Sequence, residues 1–406
     1  MGGMKKIIKY PLLSDAFNKD DINKAVKVLK SKKITMSEET TNFEKIFSRK
    51  IRSKYALMTN SGSSSNLLAI SALTNPLNNK KLKNNDEVLI PAVCWSTSLW
   101  PIIQNNLKPV FVDVDLETFN IDITDLLTKI TNKTRAIMLI HVLGTCSNMS
   151  KLISIARRNN LEIIEDTCES LGAKFNNKNL GTFGRFGTFS FYYSHQITSG
   201  EGGMIVCKNE KDYNILKTLR SHGWSRNTIF HKYYKKKYKN IDERFLFIGP
   251  GYNLRPTDIQ AAIAKNQFKR LGKFMKIRNA NRNKIISSLI NHPKWHKQFI
   301  FIQPNKNIKP SWFGMPMLIN KKYKNKKNKF LKYLTKMGIE NRPIISGNFL
   351  NQPAAKLYKF NYNLKKFKNS QEIEKRGFFI GLHTQAIKKN TIEFLTNAML
   401  NFSSLK

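Results

Sequence analysis

Between Tyr55 and Asp166, short β-branched runs alternate with segments whose apolar residues recur at helical spacing. Tyr55–Thr59 predicts a strand and Ser63–Leu73 a helix. Glu87–Pro91 predicts a strand, followed by a helix through Trp100 and Ile103. Pro109–Asp113 and Ala136–Ile140 predict further strands, Met149–Arg158 a helix, and Leu161–Asp166 another strand. Parallel neighbours need a long crossover, which a helix supplies. The pattern therefore predicts an α/β fold built on a mostly parallel sheet with helices on both faces. In such sheets, ligands bind beyond the carboxyl ends of the strands.

The flanking regions extend this plan. Lys19–Lys30 predicts a helix from Ile22, Ala25, Val26 and Leu29, and Thr41–Ile51 a second one. A long helix is expected from about Thr257 to Asn291. After it, Trp312–Met317 reads as a strand, and Lys329–Met337 and Thr391–Phe402 as helices. With 406 residues the chain is long enough for a large domain and a smaller one. The expected division is residues 1–265, a large domain with N-terminal helices, and 266–406, a small α+β domain.

Composition narrows the function classes. The formal charge of +43 would ordinarily suggest nucleic acid. The excess is mainly lysine spread along the chain among many Asn and Ile, as an AT-rich genome produces. The densest runs, Lys232–Lys239 and Lys321–Lys327, read as solvated surface, with polyanion or anionic-membrane binding as the alternative. No nucleic-acid partner is expected, although the field favours approach of an anionic substrate. No apolar run reaches bilayer length. The start Met1-Gly2-Gly3-Met4-Lys5-Lys6 lacks a secretory apolar region, and Lys6 stands where a myristoylation motif wants Ser or Thr. A cytoplasmic protein is expected. Cys94, Cys146, Cys168 and Cys207 are scattered without a CxxC pair, which predicts free thiols and no metal or iron–sulfur site.

Several residues at strand ends have chemical potential. Asn60-Ser61-Gly62-Ser63-Ser64-Ser65-Asn66 follows a strand and opens a helix, where backbone N–H groups can close around a phosphate. An ordinary serine-rich N-cap reads equally well from these residues alone. Asp166 ends an apolar strand, where a turn or helix cap is the common role. Trp95 follows a strand and suits plain core as well as ring stacking. His195 is one of seven histidines. It can move protons near neutral pH, although a lone histidine is more often structural.

Order and spacing resolve these choices. Gly187 to Gly203, with Ser190, His195 and Gly200-Glu201-Gly202-Gly203, resembles the active-site segment of sugar-nucleotide aminotransferases of the DegT/DnrJ/EryC1/StrS family. Glu165-Asp166-Thr167-Cys168-Glu169-Ser170-Leu171-Gly172-Ala173 resembles the family's acid motif. Pro91–Thr97, Leu219–Arg226, Gly249–Pro256 and Glu340–Phe349 follow the same pattern. The resemblance implies a fold-type-I aminotransferase architecture for pyridoxal 5'-phosphate (PLP), with a large sheet domain and a smaller C-terminal one. It places Gly62, Ser63 and Ser190 on the cofactor phosphate, Asp166 on the pyridine nitrogen and Trp95 against the ring. Glu169 would approach the cofactor hydroxyl or the substrate, with a structural role left open. His222, Trp224 and Arg226 fall in the substrate loop, Arg255 near the sugar-nucleotide, and Arg342 in the small-domain segment. Asn253 would reach the cofactor phosphate of a partner subunit, which implies a homodimer with shared sites.

The decisive departure is His195, which stands where the family's lysine binds PLP covalently. An imidazole forms no stable imine, so the cofactor is expected to be non-covalent, as pyridoxamine 5'-phosphate (PMP) or PLP. Within the family this exchange marks 3-dehydratases of 4-keto-6-deoxy sugars. The expected reaction removes the C3 hydroxyl of a nucleotide-linked 4-keto-6-deoxyhexose, with GDP the expected nucleotide, and L-glutamate restores PMP. Gln196 stands where a second histidine follows in the GDP-sugar dehydratases of this kind. The alternatives are a sugar aminotransferase that tolerates His195, a CDP-sugar 3-dehydratase carrying an iron–sulfur cluster, and a catalytically silent regulator.

Overall fold

A computed structural model describes residues 8–14 and 16–402. The start at Met1–Lys6 lies outside them. The N-terminal helices α1 (Lys19–Ser31) and α2 (Glu38–Ile51) precede β1 (Tyr55–Thr59) and α3 (Gly62–Thr74). Then come β2 (Glu87–Pro91), α4 (Ser96–Gln104), β3 (Lys108–Val112), α5 (Ile123–Lys129), β4 (Thr134–Ile140), α6 (Met149–Arg158) and β5 (Glu162–Asp166). A short hairpin, β6 (Lys174–Phe175) and β7 (Lys178–Asn179), leads to β8 (Phe186–Ser190), β9 (Gly203–Cys207) and α7 (Glu210–Arg220).

The large sheet has the order β1-β9-β8-β5-β4-β2-β3. β3, β2, β4, β5 and β8 pair in parallel. β9 runs antiparallel to β8 on one side and to β1 on the other. The sheet is thus parallel except for one reversed strand, as the alternating pattern requires. The order jumps at β5, β4 and β2, so their carboxyl ends open onto one crevice. β8 carries no strong strand signal because Gly187 and Ser190 dilute its apolar character. Gly187 is required there: a Cβ on it would lie 1.9 Å from the Gly181 carbonyl oxygen.

A basic exposed helix, α8 (His231–Lys237), is followed by α9 (Asp258–Ile290), a 33-residue rod. Its start is fixed by a capping box between Thr257 and Gln260. Residues 265 and 266 lie within this continuous helix. α1, α2 and α13 (Lys389–Leu400) pack along it. The apolar stripe that predicts α1 is left outward, with Ile22 54% exposed and Leu29 52%. Instead α1 is held through buried Asp21, which accepts from Arg270 Nη2 at 2.6 Å and from Asn266 Nδ2 at 2.8 Å.

The C-terminal part forms an antiparallel sheet from β10 (Phe299–Phe301), β12 (Gly314–Ile319), β14 (Gly377–Gly381) and β13 (Asn341–Arg342). Between β10 and β12, β11 (Ile308–Lys309) pairs with β6 and so ties this part to the hairpin that links β5 to β8. Helices α10 (Lys327–Lys336), α11 (Pro353–Leu357) and α12 (Lys368–Arg376) complete it. One apolar core runs from Leu68 and Ile164 of the large part through Trp312 to Phe330 and Phe378 of the small one. Among the described residues, no helix is long and apolar enough to cross a membrane.

Candidate active site

A cavity of about 590 Å³ opens where β4, β5 and β8 end and α3 and α4 begin. Phe313, Arg342, Pro343, Ile345 and Phe379 close it from the small part. Gly62, Ser63, Trp95, Asp166, Glu169, Ser190, His195 and Arg342 all line it. They come from distant points of the chain, and the strand order assembles them.

Asp166 is buried at the end of β5. Its Oδ2 accepts from Asn66 Nδ2 at 2.8 Å and from Ser98 Oγ at 2.7 Å, and its Oδ1 accepts from the Cys168 N–H at 3.1 Å. Thr188 Oγ1 donates to Asn66 Oδ1 at 2.6 Å, which fixes the amide so that its NH2 faces the carboxylate. Oδ1 retains an acceptor position for a further donor. Asn66 and Ser98 escape the sequence reading. The available signal was a polar Asn66 inside α3, a helix otherwise buried and apolar along Leu68 to Leu73.

The start of α3 forms a cradle. Ser61 caps the helix by accepting from the Ser64 N–H at 3.1 Å, and the first-turn N–H groups have no intrahelical acceptor. No acidic residue stands in that turn. Ser63 Oγ meets Thr97 Oγ1 at 2.8 Å. A Cβ on Gly62 would lie 2.6 Å from Ser190 Cβ and 2.8 Å from Cys168 Sγ. Glycine is therefore what allows this helix end to approach β8 so closely. Trp95, at the N-cap of α4, is 57% exposed although Cys94 beside it is fully buried. A helix terminus for a phosphate, a pinned carboxylate and an open indole face fit the parts of a PLP or PMP site.

His195 sits on the loop between β8 and β9. The ring is half-buried, but both nitrogens are shielded from solvent and neither has a hydrogen-bond partner. The ring packs against Phe313 at 5.1 Å and edge-on to Tyr192 at 5.9 Å. Burial, and then the Arg278 charge, push its pKa down to about 3, so the imidazole is neutral near pH 7. The loop is held by the Ser199 N–H to the Phe191 carbonyl at 2.9 Å and turns at Gly200, whose φ is 80°. Gln196 Nε2 donates to the carbonyls of Glu169 and Ser311. Glu169 lines the cavity and accepts from the Leu143 N–H at 3.0 Å. Burial, reinforced by the Asp166 charge, raises its pKa to about 7 against that hydrogen bond.

His222, Trp224, Arg226, Asn253 and Arg255 do not line this cavity. The structure gathers them into a separate cluster. The Arg226 guanidinium lies 3.6 Å from the centre of the Trp224 ring and that of Arg255 5.8 Å from it, with His222 edge-on to the indole at 4.8 Å. Arg255 Nε donates to Asn253 Oδ1 at 3.0 Å. Phe247 stacks on Trp224 at 6.1 Å and is 51% exposed. The expected substrate residues thus fall in two groups, with Arg342 in the cavity and the others in this surface cluster. All four cysteines are free, and among the described residues no three His, Cys, Asp or Glu side chains group as metal ligands.

The chain is similar to known proteins over nearly its whole length. Residues 15–399 match the DegT/DnrJ/EryC1/StrS aminotransferase family. The GDP-4-keto-6-deoxy-D-mannose 3-dehydratase of Escherichia coli O55:H7 is 38% identical over 386 residues, covering 93% of this chain and 96% of that protein. A solved structure of the E. coli GDP-4-keto-6-deoxy-D-mannose-3-dehydratase with bound hydrated PLP superposes with a TM-score of 0.88 at 36% identity, over 97% of this chain and 100% of that one. Another GDP-4-keto-6-deoxymannose-3-dehydratase, solved with a trapped PLP-glutamate geminal diamine, gives 0.86 at 36% identity over 96% and 100%. Since the match spans nearly the whole chain and the cavity lies where the sheet order demands, the chain belongs to the DegT/DnrJ/EryC1/StrS aminotransferase family.

Proposed function

We propose that this chain is a PMP-dependent 3-dehydratase of a nucleotide-linked 4-keto-6-deoxyhexose, GDP-4-keto-6-deoxy-D-mannose in particular, and that L-glutamate regenerates its cofactor. The observation that carries this reading is His195, an unpartnered imidazole in a cofactor-shaped cavity, where the family's aminotransferases use a lysine. A histidine keeps the proton chemistry and removes the covalent anchor.

When bound, PMP would supply an amine for the sugar ketone and a ring able to take up electron density. The chain's own residues do the rest. The start of α3 with Gly62, Ser63 and Ser190 binds the phosphate, and Trp95 orients the ring by stacking. Asp166, held by Asn66, Ser98 and the Cys168 N–H, keeps a proton on the pyridine nitrogen. His195, neutral and with a free lone pair, accepts a proton at a ring nitrogen; once charged, it donates that proton to the departing C3 hydroxyl. Glu169, whose pKa burial raises to about 7, would approach the cofactor hydroxyl or the substrate. Arg342 takes part in sugar-nucleotide binding from the small part.

The cluster of His222, Trp224, Arg226 and Arg255, with Asn253, serves the cavity of a second copy in a homodimer. Its support is its place outside its own cavity together with the exposed Phe247 beside it. Excess lysine draws the anionic sugar-nucleotide toward the site.

The test incubates the protein with PMP, L-glutamate and GDP-4-keto-6-deoxy-D-mannose and follows ammonia and sugar mass. A 4-keto-3,6-dideoxy sugar with stoichiometric ammonia is expected, and His195→Asn should lower its rate by at least about 10²-fold while PMP still binds. An amino sugar as the product, or near-normal dehydration by His195→Asn, overturns the reading.

A further inference from the structure

Behind the His195 loop lies Arg278 of α9, a buried guanidinium only 2% exposed. It donates through Nη1 to the Trp312 carbonyl at 3.2 Å and through Nη2 to the His195 carbonyl at 3.4 Å. Its Nε has no partner, and among the described residues it joins no ion pair. A buried cation without a counter-ion is costly, so its retention calls for a role other than stability.

The surroundings indicate that role. Residues 311–313 lead into β12 and touch the histidine loop three times. Gln196 Nε2 donates to the Ser311 carbonyl at 3.0 Å, Arg278 bridges Trp312 and His195, and the Phe313 ring packs on the imidazole at 5.1 Å. Ser311 is itself tied to the large part, with its Oγ donating to the Leu171 carbonyl at 2.6 Å and its N–H to the Gly144 carbonyl at 3.0 Å. Arg282, one turn on, lies over the Trp312 ring at 4.3 Å.

We propose that Arg278 is a positioning residue for His195, a fixed cation that ties the histidine loop to the small-domain segment Ser311–Phe313 and sets its charge against protonation of the imidazole. The proposal rests on His195 being the acid/base of the reaction. The other charged or titratable groups lining the same cavity are Asp166, Cys168, Glu169, Tyr192, Glu201 and Arg342, with His141 at the end of β4. Burial is the main cause that keeps the imidazole uncharged, and the Arg278 charge adds to it from behind the loop. Its own charge persists at neutral pH, because burial lowers its pKa only to about 10.

Two measurements test this, one without cofactor. Hydrogen–deuterium exchange of the apo protein reads the loop, where the His195 N–H donates to the Tyr192 carbonyl at 3.0 Å. Arg278→Met should speed exchange across 192–197 at least tenfold, and Arg278→Lys, which keeps the charge but loses the two-carbonyl bridge, should speed it too. In the loaded enzyme, the acid limb of kcat/KM should move up in Arg278→Met, as proton affinity rises, and stay in place in Arg278→Lys. If Arg278→Met does not fold, the lysine variant alone decides the bridge. Wild-type exchange in the variants overturns the positioning role, and an unmoved acid limb in folded Arg278→Met overturns the charge role. Retention of dehydration by His195→Asn would instead refute the proposed function, leaving the exchange result to stand by itself.

Discussion

Replacing Asp166 by asparagine separates the structural and chemical work of this carboxylate. Its two oxygens receive three donors: Asn66 Nδ2 and Ser98 Oγ on Oδ2, and the Cys168 N–H on Oδ1. An asparagine can accept on one side only. If its oxygen faces Asn66, its NH2 faces the Cys168 N–H; if it is flipped, NH2 opposes NH2, because Thr188 fixes the Asn66 amide. Ser98 can rotate its hydroxyl, whereas the other two donors cannot adapt. One buried donor is therefore left unmatched in either orientation, a loss of about 1–3 kcal/mol. The chemical loss is separate: a neutral amide no longer holds a proton on the pyridine nitrogen, and turnover should fall by at least about 10²-fold.

The two effects can be read apart. Urea unfolding of apo Asp166→Asn gives the stability loss as a lower midpoint at unchanged slope. Adding Asn66→Asp restores the pattern in mirror image, with a carboxylate now accepting from the new amide and still from Thr188 Oγ1. Stability should recover in this double variant and dehydration should not. If Asp166→Asn unfolds at the wild-type midpoint, the hydrogen-bond argument fails. If the double variant regains turnover, the charge argument fails.

Two further outcomes follow from the same cavity. Gly62→Ala places a methyl group 2.6 Å from Ser190 Cβ, an overpacking worth about 1–3 kcal/mol; PMP affinity measured by fluorescence titration should fall, and unchanged affinity would sink the cradle. Glu169 has a folded pKa of about 7 against an ordinary 4.5, so the folded state holds a proton that the unfolded state has released between those values. That stability is fully present below about pH 4.5 and is lost as pH rises through about 7. The difference in urea midpoint between wild type and Glu169→Gln should therefore change across this window and level off above it, and parallel curves would show that Glu169 does not titrate there.

What the sequence discloses depends on how local the determinant is. The βαβ alternation is local, so the sheet and its ligand edge were readable from Tyr55 to Asp166, as was the long helix from Thr257. β8 was not readable as a strand, because its glycine and serine serve close approach to Gly181 and to the cradle rather than strand propensity. α1 shows the reverse failure: the apolar stripe at Ile22, Val26 and Leu29 is real, yet the helix is anchored by the polar Asp21 network and the stripe faces outward.

The same distinction runs through the site. Asp166 and His195 could be named because each lies in a continuous motif. Their supports could not, since Asn66 lies 100 residues from Asp166 and Arg278 lies 83 from His195. Each supporting residue is a polar side chain buried in a helix, at a cost that only its distant partner offsets. The Trp224 cluster takes this one step further. Its residues come from two sequence motifs, Leu219–Arg226 and Gly249–Pro256, and form one spatial group, yet they do not line their own chain's cavity. A cluster with two arginines over one indole and an exposed phenylalanine beside it is suited to an anion and an apolar cover together. In the proposed homodimer, a second copy bringing its cavity against this face would supply both.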